Sequence, residues 1–189
     1  MDSVPDKRER IIAAASRLIV RNGLQCSMQA IAEEAGVATG SLYNYFDSKE
    51  ALVRGVYGRV AGEMTARLSG TDSQTGSGKQ RVQAYIAAYI DFIWEDPLRA
   101  RLFEYLDNNP LITTEDAVMI FGPFLRHAVN MIEAAQAEGA VRQGPSVLMA
   151  SFLRGAIRNA LKRRRALNGP LTEVERDLIA AMCWQALAA

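Results

Sequence analysis

A single glycine, Gly36, divides the most constrained stretch of this chain, which runs from residue 27 to residue 52. Before it, Ile31 and Ala35 lie about one turn apart, and Ser27 is placed to cap a helix that contains both. Glycine tolerates the positive φ at which a helix can end in a sharp corner. The stretch is therefore predicted to form two short helices that meet across a glycine turn.

The second helix of this pair has a narrow apolar edge and a broad polar face. Val37, Leu42 and Phe46 form the edge and are predicted to be buried. The other residues are small, polar or aromatic and should face mostly outward: Thr39, Gly40, Ser41, Tyr43, Asn44 and Tyr45. Two helices at a wide angle across a short turn form a helix-turn-helix, whose second helix can enter the major groove of DNA. An ordinary helical corner with a solvated polar face fits the same pattern.

If the corner is a helix-turn-helix, side-chain chemistry suggests which residues contact DNA. Gly40 and Ser41 keep the front of the helix slim enough for the groove, and the amide of Asn44 can read a base edge. Hydroxyl and ammonium groups suit phosphate oxygens. The candidate DNA contacts are Ser27, Gln29, Thr39, Gly40, Ser41, Tyr43, Asn44, Tyr45 and Lys49.

The match to a known family is longer than a bare helix-turn-helix. From Ile31 to Leu52 the chain reads Ile-Ala-x-x-Ala-Gly-Val-x-x-Gly-Ser-Leu-Tyr-x-Tyr-Phe-x-x-Lys-Glu-x-Leu, which closely resembles the DNA-binding signature of the TetR family of transcriptional regulators. The resemblance covers roughly residues 7 to 60, and beyond them only length and helical layout agree. It implies a homodimer that binds a palindromic double-stranded operator, most often as a repressor, and responds to a small-molecule effector. One departure is Ala38, where the family commonly places Ser or Thr; losing that cap should cost about 1 kcal/mol.

Helical spacing continues along the chain, so the predicted fold is all-α with about nine helices. A first helix between Asp6 and Gly23, with Asp6 and Glu9 at capping-box spacing, would support the corner as the third leg of a small bundle. Residues 1–52 are predicted to form this helix-turn-helix DNA-binding domain. Residues 53–189 are predicted to form a helical ligand-binding and dimerisation domain.

A long helix is predicted from Glu50 to Leu68, with Asp47 and Glu50 as a second capping box, and it crosses the predicted boundary near Val53. Three glycines recur along it: Gly55, Gly58 and Gly62. Each costs about 1 kcal/mol relative to alanine in a helix interior. They form either a groove for close packing of another helix or a lever that bends when the second domain changes shape. The segment from Ser69 to Gly78 that follows is predicted to be a flexible linker.

Charge and composition restrict the possible partners. The chain has 22 Lys and Arg against 21 Asp and Glu, so any DNA contact must be local and positive charge should be sorted to one face. Cys26 and Cys183 lie far apart, which suits small apolar residues in a reducing compartment. Neither a signal peptide nor an apolar run of about 20 residues is present. We expect a soluble, cytoplasmic protein with no membrane partner.

The middle third concentrates bulky side chains around two proline breaks. Asn109-Pro110 should separate two helices, and Gly122-Pro123 should kink or interrupt another. Such a set can be filled core, or it can line an apolar cleft for a small-molecule effector that is itself largely apolar or aromatic. The candidate effector contacts are Met64, Tyr89, Ile93, Phe103, Phe121, Phe124, His127 and Met131.

The last two helices are apolar and have too little of the chain left to pack against. Pairing with the same helices of a second copy would form an isologous four-helix seam, which is also what the family resemblance implies. The candidate dimer contacts are Phe152, Gly155, Ala156, Asn159, Leu178 and Met182. The basic run from Lys162 to Arg165 can be a nucleic-acid patch, but its position at a helix end favours solvated cations that complement the macrodipole.

Two other classes of function compete with a regulator. An enzyme is disfavoured, because the sequence offers one histidine, two isolated cysteines, no metal-ligand spacing and no phosphate loop, and no cofactor is expected. A helical module whose corner docks a protein remains open. Binding to duplex DNA that falls steeply with salt would distinguish the regulator from that module.

Overall fold

The computed structural model of the protein describes residues 6–69, 76–106 and 111–189. Most of the predicted linker and the predicted break at Asn109-Pro110 lie outside those residues. Within them the chain forms nine α-helices, one short 3-10 helix and no strand, apart from an isolated bridge between Val141 and Ala188. The predicted all-α class is confirmed. The helices are α1 Lys7–Asn22, α2 Met28–Ala35, α3 Thr39–Tyr43, α4 Lys49–Ser69, α5 Gly78–Glu95, α6 Pro97–Leu106, α7 Thr114–Ala137, α8 Ser146–Arg165 and α9 Glu173–Leu187, with the 3-10 helix at Gly23–Gln25.

The chain groups into two compact units that are not contiguous in sequence. The first comprises Met1–Ala61 and Arg101–Phe121, and the second comprises Gly62–Ala100 and Gly122–Ala189. Compact units and functional domains are different divisions of a chain. The domain ranges 1–52 and 53–189 therefore stay predictions.

The first unit has α1 as its apolar spine. Ile11, Ile12, Leu18 and Ile19 are buried along one side of this helix, against α2 and the 3-10 helix. Gly23 ends α1 with a φ of 68°, as the sequence predicts. The result is the third leg that holds the two shorter helices.

Both capping boxes predicted for the N-terminal region are wrong. Asp6 stands at the N-cap of α1, but its side chain accepts no capping hydrogen bond. At α4 the cap is Ser48, whose Oγ accepts the amide of Ala51 at 3.1 Å. The helix therefore begins one residue later than a cap at Asp47 requires. Spacing alone leaves the first residue of a helix open by about one position.

The second unit has α5, α8 and α9 packed together, and ion pairs fasten its surface. Arg176 on α9 donates two hydrogen bonds to the Asp91 carboxylate on α5, at 2.7 and 2.5 Å. These bonds raise the pKa of Arg176 above its already high value. Paired donors of this kind fix orientation as well as distance.

Part of the basic run at the end of α8 is structural. Arg165 donates to the carbonyls of Ile93 and Trp94 at 3.1 Å each, which closes the C-terminal end of α5. Arg164 donates to Glu175 at 2.6 Å. The interpretation of the whole run as solvated cations is therefore wrong for these two arginines, which are only partly exposed.

Helix α7 is not interrupted at Gly122-Pro123. Proline removes the hydrogen bond to the carbonyl one turn earlier, that of Met119. Pro123 and Met119 are both solvent-exposed, so water can satisfy this carbonyl and the helix can continue.

Candidate DNA interface and effector cluster

Helix α2 begins and ends as the sequence predicts. The Oγ of Ser27 accepts the amide of Ala30 at 3.1 Å, which caps the helix. Gly36 then takes left-handed φ and ψ values of 65° and 41°, and the amide of Val37 donates back to the carbonyl of Ala32 at 3.0 Å. This closed turn sets the direction in which α3 leaves α2. We call residues 27–49 the recognition corner.

Helix α3 is shorter than predicted, because Val37 precedes it and Asn44, Tyr45 and Phe46 follow it. The predicted buried edge and open front are therefore formed by α3 together with its flanking turns. Leu42 and Phe46 are buried, and Val37 is partly buried. Tyr43 is 50% exposed, and Gly40, Asn44 and Tyr45 also lie at the surface, while Thr39 and Ser41 are partly exposed. Ala38 supplies no side-chain cap, in line with its departure from the family pattern. The front of α3 therefore consists of small and hydrogen-bonding side chains.

Phe46 fixes the exit of the recognition corner against the long helix. A Cβ atom on Gly55 would lie 2.8 Å from Cε1 of the Phe46 ring, so only glycine lets the ring approach α4 this closely. On the same ring, the Arg8 guanidinium carbon lies 5.3 Å from the centroid. At Gly55 the close neighbour is this aromatic ring from the turn before α4, and not the second helix that a packing groove would receive. Gly58 and Gly62 have no atom of the described residues near such a Cβ position.

Within the described parts of the chain, some basic side chains of the first unit are held in ion pairs, whereas Lys49 is not. Glu34 accepts hydrogen bonds from Arg17 at 2.8 Å and from Arg21 at 3.4 Å, and the bond from Arg17 is the largest cause that lowers the Glu34 pKa. Lys49 forms no ion pair with a carboxylate among the described residues, although its charge adds to the hydrogen bonds from the Glu50 backbone and Ser48 that lower the pKa of Glu50. The Lys49 charge also acts on the Cys26 thiol, whose pKa is raised by burial and partly lowered by Lys49. Lys49 thus lies at the start of α4, immediately after the recognition corner's open front, without a carboxylate ion pair among the described residues.

The remaining predicted DNA contacts lie at the start of α2. Gln29 is exposed, and its amide donates to Glu33 at 3.1 Å. Ser27 is exposed too, and its hydroxyl can donate a proton while its oxygen caps the helix. All nine candidates therefore belong to the first unit and fall on α2, α3 or the first residue of α4 with its preceding turn.

The predicted effector contacts are divided between the two units. Phe103 and Phe121 belong to the first, where their ring centroids are 6.1 Å apart. The six others belong to the second: Met64, Tyr89, Ile93, Phe124, His127 and Met131. All of these except the partly exposed His127 are buried.

In the second unit, rings from α5 and α7 form what we call the ring cluster: Tyr85, Tyr89, Phe124 and His127. Tyr85 is central, with centroid distances of 6.2 Å to Tyr89, 6.4 Å to Phe124 and 6.2 Å to His127. Tyr85 is not among the residues predicted from the sequence, although it lies one helical turn before Tyr89 and so shares its face.

Arg154 on α8 is a second residue that the sequence analysis did not assign to this region. Its guanidinium carbon lies 5.7 Å from the Phe124 ring centroid. Nothing in the sequence distinguishes it from the other arginines of α8, because its position beside the ring cluster depends on how α8 packs against α5 and α7.

The predicted dimer contacts lie on surfaces of α8 and α9 that one chain leaves uncovered. Phe152 is 52% exposed, Leu178 57% and Met182 51%. Gly155 and Asn159 are exposed and Ala156 is partly exposed. Val147, Leu148 and Val174 add further exposed apolar side chains to the same two helices. We call these residues of α8 and α9 the exposed apolar face.

Neither a metal-ligand cluster nor a membrane-spanning helix is present in the parts of the chain that the structure describes. No cluster of His, Cys, Asp and Glu in them could hold a metal ion. None of the helices in these parts is both long and apolar enough to cross a lipid bilayer.

Comparison with known proteins places the recognition corner in a known family. Residues 11–56 match the model of the bacterial regulatory proteins of the tetR family. The chain is 32% identical over 98 residues to the HTH-type transcriptional activator FasR of Mycolicibacterium smegmatis, a match that covers 51% of this chain and 45% of that protein. It is 30% identical over 94 residues to the HTH-type transcriptional repressor KstR of the same organism, covering 49% and 46%. The matched stretches thus span less than half the length of these two relatives.

A solved structure extends the similarity over the whole fold. It is the crystal structure of a proposed tetR family transcription regulator from Shewanella sp. PV-4, with a TM-score of 0.84 and 26% identity over 98% of this chain and 100% of that one. Such proteins are DNA-binding regulators of transcription and not enzymes. The chain belongs to the TetR family of bacterial transcriptional regulators.

Proposed function

We propose that the protein is a homodimeric repressor that binds a palindromic operator through α2 and α3 and leaves it when a small-molecule effector binds the second unit. The front of α3 is the observation on which this proposal rests. Leu42 and Phe46 hold one edge of that helix inside, while Tyr43, Asn44 and the residues before them remain free to meet a duplex. The proposal extends the family assignment to a mode of action.

The DNA contacts follow from the size and chemistry of the recognition corner. The major groove admits an α-helix, and Gly40 adds no side chain to the front that would enter it. Asn44 can donate to and accept from an adenine edge. Tyr43 and Lys49 can donate to phosphates on either side of the groove. The absence of a carboxylate partner for Lys49 within the described ranges supports its role as a phosphate contact.

The dimer follows from the exposed apolar face. Side chains such as Phe152 and Leu178 gain roughly 25 cal/mol for each Å² of apolar surface that they bury, so a second copy that covers them would be stabilised. An isologous pairing uses the same face twice and relates the two recognition corners by a twofold axis. Successive major grooves on one side of a duplex lie about 34 to 36 Å apart, which is the spacing that the two corners must match.

The effector would act by changing that spacing. A ligand that binds more tightly to a conformation with differently spaced corners weakens operator binding, and the operator weakens ligand binding by the same factor. Helix α4 runs from the first unit into the second, and Gly58 and Gly62 lie on it in open surroundings. We propose this stretch of α4 as the lever, because a glycine pair lowers the cost of bending a helix.

The test is selection of duplexes from a random library by the purified protein, followed by binding titrations on the enriched sequence at several salt concentrations. We expect a two-fold symmetric site and a Kd that rises steeply with salt, since phosphate contacts release counterions. Tyr43→Ala and Lys49→Ala should each weaken binding at least about tenfold while the dimer persists.

Arg101→Ala is the matched control for Lys49→Ala. Arg101 lies on α6 in the first unit, is largely exposed and pairs with Glu104 at 3.4 Å. Its removal changes the net charge equally but away from the corner, so operator affinity should stay within about twofold. If no sequence is enriched, or if the three variants bind alike, the corner does not read DNA and the protein-docking alternative gains support.

A further inference from the structure

We propose that the ring cluster and Arg154 form a receptor for an organic acid, a molecule with an apolar body whose carboxylate accepts hydrogen bonds from Arg154 and Tyr85. This inference rests on the proposed function, because it names the chemical class of the effector. It concerns residues of the second unit only, on α5, α7 and α8.

The first observation is a pair of buried donors that have no acceptor. Tyr85 is 1% exposed, and its hydroxyl has no hydrogen-bond partner among the described residues. The Nη1 atom of Arg154 is buried and also lacks a partner there. Buried polar side-chain atoms are nearly always hydrogen-bonded, and those that are not call for a specific explanation.

The second observation is that the Tyr85 hydroxyl and the Arg154 guanidinium lie near each other. Burial raises the pKa of the Tyr85 phenol, and the nearby Arg154 charge opposes that shift without reversing it. The phenol is therefore a neutral donor, and a guanidinium has donors only. Arg154 acts on the Tyr85 phenol both through its charge and through a side-chain hydrogen-bond contact, but neither the Tyr85 hydroxyl nor Arg154 Nη1 has a partner in full hydrogen-bond geometry among the described residues. An acceptor oxygen between them would satisfy both.

The third observation concerns the charge of that acceptor. None of the ion pairs formed within the described ranges includes Arg154, in contrast to Arg164 and Arg176, which bind Glu175 and Asp91. Arg154 is partly exposed as a residue, but its Nη1 atom is buried, and a charged group removed from water is stabilised when it is paired or hydrogen-bonded. One positive charge is neutralised by one carboxylate, whereas a phosphate dianion would leave a negative charge in an apolar surrounding.

The aromatic rings indicate the chemistry of the rest of the ligand. Tyr85, Tyr89 and Phe124 have nearly parallel planes, with angles between 4° and 19°. Arg154 lies over the Phe124 ring, so the cationic group and the apolar surface adjoin. A ligand that places its carboxylate at Arg154 would therefore lay its apolar portion against aromatic side chains.

The experiment measures thermal stabilisation and calorimetric binding of the full-length protein with matched probes. Decanoate and 4-phenylbutyrate are compared with their primary amides, with decyl phosphate and with inorganic phosphate. We expect at least one of the two acids to bind about tenfold or more tightly than its amide, since a charge-assisted hydrogen bond is about twice as strong as a neutral one.

Three variants assign the effect to its residues. Arg154→Met keeps the length of the side chain and should abolish the preference for acid over amide. Tyr85→Phe removes one hydroxyl and should weaken the acid several-fold. Arg163→Met is the control, because Arg163 is an exposed arginine on the same helix, and it should change nothing. Circular dichroism establishes whether each variant is folded. If Arg154→Met does not fold, the acid affinity of Tyr85→Phe tests the proposal instead.

Each other outcome overturns the proposal. Equal binding of acid and amide, binding of decyl phosphate in preference to the acid, or an acid preference that survives in both Arg154→Met and Tyr85→Phe would exclude a carboxylate at this place. No binding of any probe would mean that the two donors are satisfied by water in a filled core. If an acid binds with the expected preference but leaves the selected operator's Kd unchanged, the receptor stands and the effector response of the proposed function fails. If the protein binds its selected operator but binds none of the acids, operator recognition stands and the receptor proposed here fails.

Discussion

The recognition corner and the ring cluster with its neighbour Arg154 both contain hydrogen-bond donors that have no partner among the described residues, but one set is solvent-exposed or partly exposed and the other is buried. At the corner, Tyr43 and Lys49 lose little when no DNA is bound, because solvent satisfies them. In the ring cluster the Tyr85 hydroxyl is removed from solvent, and so is the Nη1 atom of the adjoining Arg154. Exposed donors suit a large, charged partner that binds reversibly and with strong salt dependence. Buried donors suit a small ligand that supplies the missing acceptor, so the difference in burial is the reason why we propose a different partner for each region.

The largest effect should come from removing the ring that anchors the corner. Phe46→Ala deletes a buried ring packed against Gly55, and we expect the free energy of unfolding to fall by about 3 to 5 kcal/mol. Chemical denaturation measures this change. Operator binding should be lost in addition, because α3 depends on Phe46 for its position. Tyr43→Ala, which removes an exposed ring three residues earlier, at the end of α3, is the control and should leave stability within about 1 kcal/mol.

The next effect concerns the exposed apolar face, which belongs to neither of the two donor sets. Phe152→Asp together with Leu178→Asp places like charges across the proposed seam, and we expect the dimer Kd to rise by at least about a hundredfold. Analytical ultracentrifugation follows the change, and operator binding should weaken with it. Val118→Asp makes the same substitution at an exposed apolar site of the first unit. If this control dissociates the dimer equally, the assigned face is wrong.

The three glycines of α4 permit a smaller and more discriminating test. Gly55→Ala should destabilise the protein by about 1 kcal/mol, because the new Cβ would press on the buried Phe46 ring. Gly58→Ala and Gly62→Ala meet no described atom and should stabilise it by up to about 1 kcal/mol through helix propensity. If α4 bends as a lever, the last two variants should also reduce the difference in operator affinity with and without effector. Equal unfolding curves for all three would remove the special role of Gly55.

The smallest effect is a pH dependence that again compares the two units. Glu34 in the first unit and Glu175 in the second both have lowered pKa values, and that of Glu175 falls to about 2, chiefly through the hydrogen bond from the Thr172 backbone. A lowered folded pKa contributes stability that is present above the unfolded value, near 4.5, and is lost as pH falls toward the folded one.

Thermal melts at a series of pH values check this expectation. Glu175→Gln should lower the Tm slightly at neutral pH and flatten its decline between pH 4.5 and about 2. Glu34→Gln should flatten the decline of Tm over a part of the same pH range. Glu173→Gln, which removes an exposed carboxylate from the same turn as Glu175, is the control. A Tm profile of Glu175→Gln that parallels the unmodified protein would contradict the assignment.

Much of the recognition corner is predictable because its determinants lie within a few residues of one another. Ser27 caps an amide three residues away, Gly36 turns the chain between adjacent helices, and Leu42 and Phe46 share one face. The two capping boxes predicted at Asp6 and Asp47 are wrong, because several nearby side chains can compete for the same free amides at a helix start. The ring cluster was predicted only in part, since helical spacing names the apolar positions of α5 and α7 but not their neighbours on other helices.

The sequence by itself determined the helices, the glycine corner and the family, because caps, turns and apolar stripes are set by contacts over three to seven positions. Only the tertiary structure decided which polar groups those helices bury. Asp91 meets Arg176, Arg165 closes the end of α5, and Arg154 lies by the Phe124 ring, each across many positions of sequence. Such pairings depend on how whole helices pack, and side chains of the same type can therefore be a surface cation, a structural clamp or a ligand contact.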